Sequence, residues 1–477
     1  TFFTKILLIA LKLSTSVITA RFLGPAGRGL YYSVAQTSGV ANNIGCLSIG
    51  ESLIYHIGNG KLTKSNLLGF VLTLIVFFTS IIYLGLYLLS PFIIENFFID
   101  STENLMFLLY FMTPLLMFEY FATSALRGLK LFSVVNKLSL VTRLNIIIFL
   151  LLTLLIYSAT AYFALIGYIV ALFFNCIIYL AALYQAAKPK ALELKEFSSV
   201  IKYGVKVHPA ILLTEIEYRL DIFILLYFLN TAAVGIYSIG VTIAQILWYV
   251  SNSINSVLFP HLTFTSSGQE KNIFTAEIIK YNFLINLVIL FLLCLFGKFL
   301  VLILYGSDYV QAYYIFLILA PGLLLDSIGR NIATWLKSEG KPLILSWISF
   351  GSLSFNILLN FILIPKYGLY GAAYSSLISY IARGTILWFT FKKYTGIKFS
   401  YIFLWSKADL IKIFSRIQSL IISFKSSVKS SFNYLISFFS ENKKQVKKAT
   451  RKWAELKIVE HKKVRTYSQT HKNEGRK

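Results

Sequence analysis

The chain has 477 residues, of which 57% are hydrophobic and 16% aromatic, and only 14% carry charge, against about 25% in an average soluble domain. That composition excludes a water-soluble enzyme and places most of the chain in lipid. Cys46, Cys176 and Cys294, with five scattered histidines, supply neither a disulfide framework nor metal-ligand spacing.

Taken in chain order, apolar stretches of about 20 residues, the length that crosses a bilayer core, recur near residues 2–20, 30–55, 66–90, 105–126, 138–157 and 161–186. They continue near 204–229, 235–260, 280–304, 312–336, 343–364 and 369–391. The expectation is an all-α integral membrane protein of about twelve transmembrane helices. Segments such as Asn145 to Tyr157 are continuously apolar, unlike the alternating strands of a β-barrel. The run Phe2 to Ala20 lacks a cleavage pattern and reads as a shortened first span.

The loops carry independent information, because Lys and Arg favour the cytoplasmic side. Every even-numbered exit is basic: Lys61 and Lys64, Lys130 and Lys137, Lys188 to Lys202, Lys271, then Lys337 and Lys341. Odd-numbered exits offer Lys366 and little else, so both termini are expected to be cytoplasmic. Arg21 and Arg28 depart from this trend at the first outer connection, where Gly24, Pro25, Gly27 and Gly29 read as a tight link between two helices.

A duplication sets the architecture. Phe22-Leu23-x-x-Ala26-x-x-Gly29-Leu30-Tyr31 aligns with Phe228-Leu229-x-x-Ala232-x-x-Gly235-Ile236-Tyr237, and Leu126-Arg127 aligns with Leu336-Lys337. A six-span repeat preserves orientation, so two six-helix lobes related by a parallel repeat are expected, with a binding site between them. The boundaries fall at 1–190 for the first lobe, 191–203 for a cytoplasmic connector and 204–395 for the second lobe.

Three stretches, ARFLGPAGRGLYYSVA at 20–35, VGIYSIGVTIAQ at 234–245 and NILLNFILIPKYGLYGAAYSSLISY at 356–380, give the chain its family character. On these the sequence resembles the Wzx-type oligosaccharide flippases of bacterial polysaccharide assembly, in the superfamily of MATE antiporters and lipid II flippases. The resemblance implies a transporter, not an enzyme, carrying a polyprenyl-pyrophosphate-linked oligosaccharide from the cytoplasmic to the outer leaflet of the bacterial inner membrane by alternating access. It implies no cofactor beyond a coupling ion, H+ or Na+. It also implies a monomer working beside a polysaccharide polymerase and glycosyltransferases.

Ionisable residues inside a span are costly and mark cavities or ion pairs. Arg143, Arg330 and Arg383 are candidates for a cationic cavity, with Arg21 and Arg28 at its outer mouth, because guanidinium forks suit phosphate oxygens. Glu215 and Arg219, four apart, form a candidate structural pair. Glu217 and Asp221 share another face of the same expected helix and, with Glu51, are candidates for ion coupling. A MATE-like cation-coupled exporter is the first alternative function. A membrane glycosyltransferase or polymerase is the second, and short outer loops count against it.

Residues 392–477 hold about 21 Lys and Arg against about 5 acids, most of the formal +25. Apolar positions from Phe414 to Phe439 follow helical spacing opposite Lys412, Arg416 and a row of serines. An interfacial amphipathic segment over 396–440 and a basic cytoplasmic tail over 441–477, drawn to anionic lipid, are expected. No nucleic-acid motif accompanies this charge. The charge alternation predicts that a single cysteine at Ser101 reacts with an impermeant thiol reagent in intact cells, and that one at Ser267 reacts only after lysis. Reversed labelling would invert the topology.

Overall fold

In the computed structural model, residues 2–58, 67–97, 104–186, 194–264 and 268–403 are described. Helices dominate: α1 (Phe2–Gly45), α2 (Ile49–Gly58), α3 (Leu67–Phe97), α4 (Asn104–Gly128), α5 (Phe132–Ile156) and α6 (Ala161–Ala186) form the first half. The second half comprises α7 (Leu194–Glu217), α8 (Leu220–Phe228), α9 (Thr231–Ala244), α10 (Ile246–Phe264), α11 (Gly268–Leu304), α12 (Val310–Ser338), α13 (Pro342–Tyr367) and α14 (Leu369–Thr395). A four-residue α15 (Ser400–Phe403) follows. The expected interfacial segment beyond that point and the basic tail lie outside the described residues.

Among the described residues, eight helices are long and apolar enough to cross a membrane, or nine if the bent α9–α10 pair counts as one span. The expected twelve differs from this count for physical reasons. The first two expected spans lie within α1, which is two helices meeting at Gly24, whose φ of 64° leaves helical space just before Pro25 removes a backbone donor. The seventh is broken between α7 and α8, and the twelfth, α14, carries Arg383 and two terminal lysines. The multi-pass character stands.

Helices α1 to α6 pack chiefly on one another, as do α7 to α14, and the halves meet through α1 on α9 and α2 on α7. The repeat is visible in the first of these contacts. A Cβ on Gly29 would lie 1.7 Å from the Thr231 carbonyl oxygen, and one on Gly235 would lie 2.0 Å from that of Pro25. Gly29 corresponds to Gly235 in the duplication, and Pro25 to Thr231. The contact is therefore reciprocal, and two backbones cross where no side chain fits.

The second aligned motif ends helices in the same way. After Leu126 the chain passes through Lys130 at φ 61°, and the Leu131 N–H donates to the Leu126 carbonyl at 3.0 Å. After Leu336 it passes through Gly340 at φ 70°, and the Lys341 N–H donates to the Leu336 carbonyl at 2.9 Å. Both are left-handed helix terminations, a position that suits glycine. Gly340→Ala should cost about 1 kcal/mol and Lys130→Gly should recover a similar amount. Thermal unfolding in detergent reads both, and equal melting temperatures for all three proteins would remove the strain at these turns.

Candidate functional site

At the Pro25 end of the bundle, polar side chains tie the halves together. The Arg28 guanidinium is buried and donates to the Ser16 carbonyl at 2.8 Å, to Thr19 Oγ1 at 2.5 Å and to Ser238 Oγ of the other half at 3.2 Å. Arg21 donates to the carbonyls of Leu302, Ile303 and Leu304 at the end of α11, capping orphan acceptors of that helix. Arg21 thus spends its donors on the other half, and Arg28 divides its own between Ser16 and Thr19 of the first half and Ser238 of the second. Neither is among the residues lining the two cavities described next.

At the other end of the same helices, α2 lies on α7. Ser52 Oγ donates to the Val200 carbonyl at 2.7 Å, Ser48 Oγ meets His208 Nδ1 at 3.0 Å, and Tyr55 stacks on Tyr203. The halves are thus tied together at both places.

Between these closures lies a cavity of about 420 Å³ shared by both halves. Lys5 and Lys12 of α1, Glu119 of α4 and Arg143 of α5 line one side, and Tyr249, Asn252 and Ser253 of α10 line the other. Lys12 Nζ donates to Tyr249 Oη at 2.8 Å and Lys5 Nζ to Ser256 Oγ at 3.0 Å. No ion pair among the described residues involves these three cations, so against one acid the wall is net positive. Arg143 was expected here; Lys5 and Lys12 were missed. Their signal was two cations seven apart on one face of an apolar run.

The expected Arg330 and Arg383 line a second cavity, about 250 Å³, which shares Asn252 with the first. Here the charges are matched. Arg383 Nη1 donates to Glu217 Oε2 at 2.7 Å, its Nε donates to Asp326 Oδ1 at 3.0 Å, and its Nη2 reaches the same Asp326 oxygen and Tyr218 Oη. Arg330 Nε donates to Asp326 Oδ2 at 3.0 Å and its Nη1 to Asn252 Oδ1 at 3.1 Å. Ser352 donates to the remaining Glu217 oxygen at 2.6 Å. Glu217, an expected ion-coupling candidate, is thus paired with Arg383. The sequence offered no hint of this partner, 166 residues away.

Asp221 has a different environment. The break at Tyr218 and Arg219 lies between it and Glu217, and both carboxylates meet α13 and α14. Its buried carboxylate accepts from Tyr237 Oη at 2.7 Å, Asn360 Nδ2 at 2.9 Å and Ser376 Oγ at 2.5 Å. Among the described residues no ion pair reaches it, and the buried Asn360 Oδ1 has no hydrogen-bond partner. A pocket of about 20 Å³ abuts it. Glu215 and Arg219 do pair, at 3.2 Å, and extend across the interface to Asn43 and Gln36. Being partly exposed, that pair adds little stability by itself. Glu51 is exposed on α2 and lines neither cavity.

Residues 18–314 match the family described as "Polysaccharide biosynthesis protein". The chain belongs to that family. Similar curated proteins include the "Probable low-salt glycan biosynthesis flippase Agl15" of Haloferax volcanii, 26% identical over 38% of this chain and 39% of that protein. The "Capsular polysaccharide biosynthesis protein CapF" of Staphylococcus aureus is 31% identical over 30% of this chain and 39% of that one. The chain spans about half or less of the length of the curated relatives it matches. In fold, this polysaccharide biosynthesis family member is similar to the lipid II flippase MurJ in an inward closed conformation, with TM-score 0.66 at 16% identity, covering 82% of this chain and 86% of that one. An inward-facing MATE multidrug transporter matches with TM-score 0.62 at 12% identity, over 82% and 94%. At such identities the likeness concerns fold, and chemistry must come from the residues.

The matched charges generate a stability prediction. Arg383→Ala leaves Glu217 and Asp326 buried with less compensation and should destabilise the protein by about 3 to 5 kcal/mol. Glu217→Gln on the same background should return part of the loss. Abundance and detergent melting temperature measure both, and an Arg383→Ala protein as stable as wild type would dissolve the network.

Proposed function

We propose that this protein is a flippase moving a polyprenyl-pyrophosphate-linked oligosaccharide from the cytoplasmic to the outer leaflet by alternating access between its two halves. The observation that carries the reading is the cavity between the halves, whose Lys5, Lys12 and Arg143 face one acid, Glu119. A wall of three cations to one acid in a membrane interior suits an anionic headgroup, and guanidinium and ammonium groups bind phosphate oxygens strongly. A MATE-like exporter of hydrophobic cations fits this wall poorly, since like charge would oppose the cargo. The names of the relatives, a glycan biosynthesis flippase and a capsular polysaccharide biosynthesis protein, agree with the reading.

On this reading the protein sits in the cytoplasmic membrane with both termini inside, as a monomer, supplied by glycosyltransferases and relieved of its product by a polymerase. The Pro25 end is then the outer gate. Anionic lipid at the cytoplasmic face remains the proposed partner of the basic tail. Asp221 is the proposed coupling group for H+ or Na+, supported by its three neutral donors, the unspent Asn360 Oδ1 and an adjoining space large enough for one water-sized occupant.

Two measurements test this. In proteoliposomes, Lys12→Gln with Arg143→Gln should weaken binding of the lipid-linked pyrophosphate at least about tenfold at low salt. Unchanged binding would sink the cavity assignment. Asp221→Asn, nearly isosteric, should accumulate normally yet lose ion-dependent transport, and full transport would make Asp221 a tolerated polar residue.

A further inference from the structure

Glu119 of α4 is the one acid on the cavity wall that carries Lys5, Lys12 and Arg143. The fold matches it to a single one of these cations. Lys5 and Lys12 donate across to Ser256 and Tyr249 of the other half. Arg143 sits on α5, which residues 129–131 join to α4 as an antiparallel hairpin. Glu119 lies nine residues before Gly128, the last of α4, and Arg143 eleven after Phe132, the first of α5, so the two stand at the same depth to within one helical turn. Two tyrosines of α6 fix this register. The Tyr179 hydroxyl lies near Thr123 of α4 and near Ser139 and Thr142 of α5, and Tyr168 lies near Glu119 and Arg143 themselves.

The two opposite charges act on each other, yet no ion pair among the described residues joins them. The nearby hydroxyls of Ser139 and Thr142 donate to carbonyls of their own helix, those of Val135 and Ser139. A carboxylate in this position lowers the mutual repulsion of the cations while the cavity is empty and opposes a second anion that enters. Inside the membrane, salt screens that opposition less than at a surface.

We propose that Glu119 is a positioning residue that competes with the cargo's pyrophosphate for Arg143: it attracts the guanidinium while the cavity is empty, yields it when the anion enters, and recaptures it as the cargo leaves. The inference rests on the flippase reading above and adds a release step to it. A wall of cations alone binds an anion and retains it. A competing carboxylate speeds departure, because affinity differences at one site appear chiefly in the dissociation rate.

The test uses the full chain in proteoliposomes, with inorganic pyrophosphate as the binding probe and the lipid-linked pyrophosphate as the transported substrate. Glu119→Gln should bind pyrophosphate about tenfold more tightly and should lower KM and kcat of transport together, since binding strengthens while release slows. Glu119→Asp keeps the charge on a shorter arm and should return most of the release rate. Arg143→Gln weakens binding, and adding Glu119→Gln to it should change affinity by less than about twofold, because the partner for which the two anions compete is gone. Glu119→Ala serves if Glu119→Gln does not accumulate. An equal gain in both backgrounds would reduce Glu119 to a source of general repulsion, and no gain in Glu119→Gln would remove it from the site; either result overturns the proposal. Wild-type protein that binds no pyrophosphate at all is a separate result, which removes the flippase reading and this step with it.

Discussion

Everything in this molecule turns on a crossing of two backbones at Gly29 and Gly235. With no Cβ at either position, α1 and α9 approach until each glycine faces a carbonyl of the other half. Any larger residue would push the halves apart, since packed backbone cannot yield as a flexible side chain can. The crossing brings Arg28 within reach of Ser238 and Arg21 within reach of the end of α11.

The two halves handle buried charge in opposite ways. In the second half, four charged side chains from α7, α12 and α14 satisfy one another, with Ser352, Tyr218 and Asn252 taking remaining sites. A closed network of this kind tolerates the low dielectric of the membrane because every carboxylate oxygen has a donor. At the cavity between the halves, Lys5, Lys12 and Arg143 of the first half face one acid, Glu119. The contrast is one of charge balance: two arginines meet two carboxylates in the network, and three cations meet one in the cavity.

The break between α7 and α8 places two acids, Glu217 and Asp221, in unlike surroundings only four residues apart. Glu217 meets a guanidinium, and Asp221 meets hydroxyls and an amide. On the proposed mechanism the interruption lets one segment contribute both a fixed strut and a group able to change its charge, and α13 and α14 touch both through Ser352, Asn360, Ser376 and Arg383.

Much was legible in the linear chain. Apolar runs gave the membrane helices, the basic loops gave an expected orientation, and the duplicated FLxxAxxG motif marked the residues that cross. Hydropathy and self-similarity are local properties of a sequence, which is why they survive without a fold. Which charge meets which partner is not local. Arg383 finds Glu217 across 166 positions and Arg21 finds α11 across more than 280, so their expected roles in the cavity could not be separated from roles in packing. The α7–α8 break was also hidden, because apolar composition is the same on either side of a kink. The sequence by itself determined that this is a duplicated helical membrane protein. Only the tertiary structure decided which of its buried charges are already satisfied and which remain for a ligand, because hydrogen bonding and desolvation depend on neighbours in space.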